Sequence, residues 1–186
     1  MSLIKLQVNT VNRKYPIFIG KNILSKFNKF LKSSSINSNQ FLVVADKNVP
    51  KKLIKKVLNS LPKESSNIIY FNANEKNKNQ KSVFKIISLL LKKNFNRNDC
   101  VISVGGGITG DVSAFAASIY KRGLKFINLP TTLLSQVDSS IGGKTGINTT
   151  HGKNLIGSFY QPSLVISDIE FLNHLPKREI VCGYGE

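Results

Sequence analysis

Between Pro130 and Asn154 the chain gathers Thr131, Thr132, Asp138, Ser139, Lys144, Lys153 and Asn154 among several glycines. Two lysines, a carboxylate and a row of hydroxyls are suited to orienting an anionic, polyhydroxylated ligand through charge-assisted hydrogen bonds. Gly143-Lys144-Thr145 would close a P-loop, but the motif G-x-x-x-x-G-K-[ST] needs a glycine where Asp138 stands. Upstream, Gly105, Gly107 and Gly110 take the spacing G-x-G-x-x-G and run into Asp111. Between a strand and a helix, such a turn brings backbone N–H groups to a pyrophosphate. The acidic residue that a dinucleotide site carries about 20 residues further on is missing, and Lys125 and Asn128 occupy that stretch. Asp46 or Glu75, at the ends of earlier strands, would then take the ribose hydroxyls. The competing expectation is that the glycines only permit a tight turn, with Asp111 a favourable charge in the first helical turn. His151 and His174 lack the four-residue spacing of a helical zinc pair and read as exposed or locally bonded. Glu186 cannot make a metal site with the residues before it.

These residues act together only if secondary structure brings them to one place. Phe41 to Ala45, Asn67 to Phe71, Cys100 to Val104, Phe126 to Leu129 and Leu164 to Ile166 are short apolar runs, the pattern of strands in a buried parallel sheet. Ile4 to Val8 and Tyr15 to Ile19 are two further β-prone stretches. Ile23, Leu24, Phe27, Phe30 and Leu31 recur at helical spacing, and Val49 to Leu61 reads as a second helix. Val83, Ile86, Ile87, Leu90 and Leu91 share one face of a longer helix from Gln80 to Phe95. After the glycine turn a small-residue helix is predicted over Val112 to Tyr120, then a short helix over Thr131 to Val137 and a long polar loop from Gly142 to Gly157. The alternation predicts an α/β fold: a mostly parallel sheet flanked by helices, a Rossmann-like nucleotide-binding domain. Ligands of such sheets bind at the carboxyl ends of the strands, where Asp46 and the glycine turn fall.

With 186 residues, 41% of them hydrophobic, the chain is long enough for one substantial core. Its 27 basic and 10 acidic residues give a formal charge of +17, which would point to nucleic acid if the cations lined one face. They are dispersed instead among asparagines and isoleucines, as from Lys47 to Lys56 and Leu91 to Asn98, so no nucleic-acid partner is expected. Runs such as Val83 to Leu91, broken by Lys85, fall short of the roughly 20 residues of a membrane span. Cys100 and Cys182 form no Cys-x-x-Cys pair and no signal-like segment opens the chain, so a reduced cytoplasmic protein with no membrane partner is expected.

The run Gly105 to Asp111, then Pro130-Thr-Thr-Leu-Leu134, Gln136-Val-Asp-Ser-Ser140, Gly142-Gly-Lys-Thr-Gly146, Gly152-Lys-Asn154 and Leu175-Pro-x-Arg178-Glu179, closely resembles the 3-dehydroquinate synthase family of sugar-phosphate cyclases. Upstream, Asp46, Asn48, Glu75 and Lys78 fit its nucleotide-contacting segments, with Ala73 in place of the family's aspartate. The resemblance implies a two-domain enzyme whose amino-terminal half binds NAD. Residues 1–186 would be that NAD-binding domain, the last of them starting a helical metal and substrate domain that completes the site. NAD contacts are implied for Asp46, Asn48, Glu75, Lys78, Gly106, Gly107, Gly110, Asp111, Thr131, Thr132, Ser139, Phe171 and His174, the last where the family often has threonine. Asp138, Lys144 and Lys153 would serve both cofactor and substrate, and with Asn154 would be the catalytic positions facing the substrate's phosphate and hydroxyls. Glu186 would ligate a divalent metal, zinc or cobalt. The implied reaction converts 3-deoxy-D-arabino-heptulosonate 7-phosphate to 3-dehydroquinate and phosphate by transient oxidation, elimination and ring closure. The implied partners are this sugar phosphate, the carboxyl-terminal half and a second copy in a homodimer. A related cyclase, or a non-catalytic NAD-binding module inactive alone, are the alternative expectations.

Overall fold

The computed structural model describes residues 3–11 and 13–185. Nine strands alternate with helices in these residues. They are β1 (Ile4–Asn9), β2 (Lys14–Gly20), β3 (Phe41–Asp46), β4 (Ser66–Phe71), β5 (Cys100–Gly105), β6 (Lys125–Pro130), β7 (Lys144–Thr149), β8 (Gly152–Phe159) and β9 (Leu164–Asp168). The α-helices are α1 (Phe27–Ser33), α2 (Lys51–Asn59), α3 (Gln80–Lys92), α4 (Gly107–Ile119) and α5 (Lys177–Tyr184). Seven strands form one sheet in the order β1-β2-β9-β6-β5-β3-β4, and every pairing is parallel except that of β1 with β2.

The apolar runs are continuous because both faces of the sheet are covered. On one face Val43 and Ala45 of β3 pack with Leu53, Ile54 and Val57 of α2 and Phe27 and Phe30 of α1. On the other, Leu42 and Val44 meet Val83, Ile86 and Leu90 of α3 and Ala116 and Ala117 of α4. Burying each large aliphatic or aromatic side chain stabilises the fold by about 1.5–3 kcal/mol. The small residues of α4 let it sit close to β5 and β6, with α3 and β7 packed against it. Among the described residues no helix is long and apolar enough to cross a membrane.

Three sequence expectations are corrected. Residues 142–157 are not an irregular loop: β7 and β8 pair as an antiparallel hairpin, with a register shift between Ile147 and Thr149. Its outward side chains and interspersed glycines hid the alternation, and Gly157 is required where a Cβ would lie 1.9 Å from the Thr145 carbonyl oxygen. The helix after the glycine turn starts at Gly107, so Asp111 lies beyond its first turn and is not a charge at the helix start. Thr131 to Val137 is helical only in part, widening into a π-type turn at Ser135–Ser139.

Candidate functional site

From β3 the chain moves outward to β4 and then back across to β5 on the other side, so the connections diverge between β3 and β5. Where strand order reverses, no helix covers the carboxyl ends, and open α/β sheets bind ligands there. A cavity of about 500 Å³ lies at this point. Asp46 and Asn48 reach it from the end of β3, Ala73 and Glu75 from beyond β4, and Gly106 and Gly107 from the start of α4. Thr131 and Thr132 enter after β6, and Phe171 and His174 after β9. Five strand ends thus converge on one space. Val49, Pro50, Ile108, Leu134, Leu175 and Pro176 give it an apolar wall, with Glu179 nearby. Sequence reasoning did not single out that wall, although each of these residues lies close in sequence to a polar one that it did.

The glycines at the cavity are needed for space. None of Gly105, Gly106 and Gly107 has a positive φ. A Cβ on Gly105 would lie 2.5 Å from Thr109 Oγ1, one on Gly106 3.1 Å from Thr132 Cγ2, and one on Gly107 2.9 Å from Ser139 Oγ. The first turn of α4 therefore opens on the cavity at Gly107 and Ile108, where unbonded N–H groups and the positive end of the helix dipole favour an anion. Gly110 lies elsewhere: its N–H bonds the Gly106 carbonyl at 3.1 Å, and its Cα faces Asn128 of β6. The third glycine of the motif sets helix-to-sheet packing.

Asp46 accepts the Asn48 N–H at 3.0 Å, and burial nevertheless raises its pKa above the ordinary 3.8. Burial is also the largest cause of the raised pKa of Asp111, outweighing the Lys78 ammonium paired with it. Lys78 is itself buried and donates to Asn154 Oδ1 at 2.7 Å. Lys78, Asp111 and Asn154 thus form one cluster that lies outside the cavity lining. Asp138 and Ser139 are exposed in the π-type turn, Lys144 is exposed at the start of β7, and Lys153 is exposed in β8; none lines the cavity. Lys125 is spent on structure, its ammonium donating to the Asn37 carbonyl at 2.6 Å and the Asn98 carbonyl at 3.1 Å. His151 is exposed, while His174 is exposed at the cavity rim. Among the described residues no group of three or more His, Cys, Asp or Glu side chains comes together to hold a metal. Glu186 lies outside the described residues.

The family model described as 3-dehydroquinate synthase N-terminal matches residues 68–182. All 186 residues are 74% identical to a 3-dehydroquinate synthase of Pelagibacter ubique, covering 50% of that protein. A 3-dehydroquinate synthase of Alkaliphilus metalliredigens is 41% identical over 98% of this chain and 50% of its own length. The chain spans about half the length of the curated relatives it matches. Among solved structures, a 2-deoxy-scyllo-inosose synthase complexed with carbaglucose-6-phosphate, NAD+ and Co2+ superposes with a TM-score of 0.90 at 27% identity, over 97% of this chain and 50% of that one. A probable glycerol dehydrogenase from Sinorhizobium meliloti, at 18% identity and a TM-score of 0.71 over 91% of this chain and 43% of that one, shares the fold.

Proposed function

Because the chain belongs to the 3-dehydroquinate synthase N-terminal family, we propose that it forms the NAD-binding domain of a 3-dehydroquinate synthase. That enzyme converts 3-deoxy-D-arabino-heptulosonate 7-phosphate to 3-dehydroquinate and phosphate. The observation that carries this reading is the cavity at the strand reversal, with carboxylates on one side and a glycine-opened helix start on the other. The NAD+ in the complex of the cyclase at 27% identity supports it.

The residues present fit NAD. Asp46 and Glu75 would accept hydrogen bonds from ribose hydroxyls, and the amides of Gly106 and Gly107 would face the pyrophosphate. Thr131 and Thr132 would add hydroxyl contacts, and Phe171 and His174 would bound the adenine end. When bound, NAD supplies reversible hydride acceptance from a substrate carbon. Asp138, Lys144, Lys153 and Asn154 would hold the sugar phosphate beside it, the two lysines meeting its phosphate. Fixing that group in place lowers the barrier by prepaying orientation entropy. The described residues do not by themselves fit a divalent metal, since no three His, Cys, Asp or Glu side chains gather among them. On this reading residues 1–186 bind NAD, and turnover needs ligands from the remaining length of the relatives. A related cyclase activity is the second reading, favoured by the TM-score of 0.90; the 74% identity favours the first.

Calorimetric titration of the 186-residue chain with NAD, paired with a phosphate-release assay on the heptulosonate phosphate, tests the proposal. One NAD per chain is expected, weakened about tenfold or more by Asp46→Asn through loss of an acceptor to a ribose hydroxyl, with no phosphate released. Absence of binding, or binding indifferent to Asp46→Asn, would overturn the cavity assignment.

A further inference from the structure

Asn148 of β7 joins the cavity rim to the end of the hairpin that carries Lys153 and Asn154. Its backbone N–H donates to the Lys78 carbonyl at 2.7 Å. Its side-chain Nδ2 donates to Glu75 Oε2 at 2.7 Å and to the Glu75 carbonyl at 3.3 Å. Its Oδ1 accepts the Asn154 N–H at 3.0 Å. Asn154 has φ 57, a left-handed conformation in which asparagine is among the few side chains tolerated. The bond from its N–H to Asn148 helps hold the backbone there.

Glu75 is the shared element. It lines the cavity, and one of its carboxylate oxygens is held by Asn148. Among the described residues the other oxygen has no hydrogen-bond partner, which leaves it to accept from a ligand hydroxyl. A ligand bonded to Glu75 would restrict that side chain, and through it Asn148 and the Asn154 backbone. We propose that Asn148 is a positioning residue that transmits occupancy of the cavity to the Lys153-Asn154 end of the hairpin, holding the anion-facing groups more firmly when the nucleotide is in place. The proposal rests on the NAD reading above and assigns Asn148 no contact with NAD or substrate.

Hydrogen exchange at the Asn154 amide, followed by NMR in the 186-residue chain with and without saturating NAD, reads this relay directly. NAD is expected to slow exchange there by about tenfold, within the range of ordinary site-to-site coupling. Asn148→Ala keeps NAD binding and loses the slowing. Asn148→Asp is nearly isosteric, so the fold is kept while two carboxylates oppose each other; it too loses the slowing. Adding Glu75→Gln to Asn148→Asp reverses the donor and acceptor and restores it at saturating NAD, a rescue that a merely structural role would not produce. NAD binding with an unchanged Asn154 response in Asn148→Ala would overturn the relay alone. No NAD binding by the unsubstituted chain would overturn the cavity reading and the relay together.

Discussion

Asp46 ends β3 with its carboxylate accepting the Asn48 N–H, while burial raises its pKa above 3.8. An acid whose pKa is raised on folding binds its proton more tightly in the native state, so stability falls as pH rises through the interval between 3.8 and the raised value. Asp46→Asn removes the titration and keeps an acceptor for the Asn48 N–H. The variant is therefore expected to gain in relative stability as pH climbs from about 4 to 7, with its advantage vanishing in acid. Thermal melts of both proteins across that range check this, and an advantage that grew on acidification would contradict it. Asp46 and Glu75 were legible from sequence because each follows a strand run. The link of Lys78 to Asp111 and Asn154 was not, because nothing in local composition says that a turn after β4 meets a hairpin end so far along the chain.

At the scale of elements, β3, β5, β6 and β9 could be read from apolar runs because burial on both faces demands that composition; β4 shows such a run although it is a half-buried edge strand. The β7–β8 hairpin could not, since most of β8 faces outward and carries polar residues between its apolar ones. The start of α4 was misplaced for a related reason: glycines suggested irregular backbone, whereas at Gly105 only the absence of a side chain matters. Gly105→Ala is expected to destabilise the domain by about 1–3 kcal/mol, the usual range for overpacking. Thr109→Ala is not expected to relieve it, because Thr109 Cβ itself lies 2.6 Å from the added carbon. Urea unfolding of the single and double variants measures both, and full recovery in the double variant would locate the clash in the Thr109 methyl and hydroxyl alone.

Across the whole molecule, the charge of +17 is dispersed along the sequence, and several of the most exposed apolar side chains lie on β8 and α5. On β8, Leu155 is 61% and Phe159 80% exposed; on α5, Val181 is 59% and Tyr184 79% exposed. Such exposure promotes association or dye binding. Leu155→Ser with Phe159→Ser is expected to lower 8-anilinonaphthalene-1-sulfonate fluorescence and raise solubility, with a melting temperature close to that of the unsubstituted chain. Unchanged dye binding would place the adhesive surface elsewhere. The order of strands has a further consequence, for the time course of folding. Strand β2 finds its parallel partner in β9, and the Arg13 guanidinium donates to a carbonyl 148 residues away, that of Gln161. During synthesis the β1–β2 ribbon emerges well before β9 and cannot dock in the sheet until Leu164–Asp168 has left the ribosome. Strands β3 to β6 can assemble around their own helices meanwhile. An early-made segment thus finds its place late in this domain, and its unpaired edge is open to wrong partners until β9 appears.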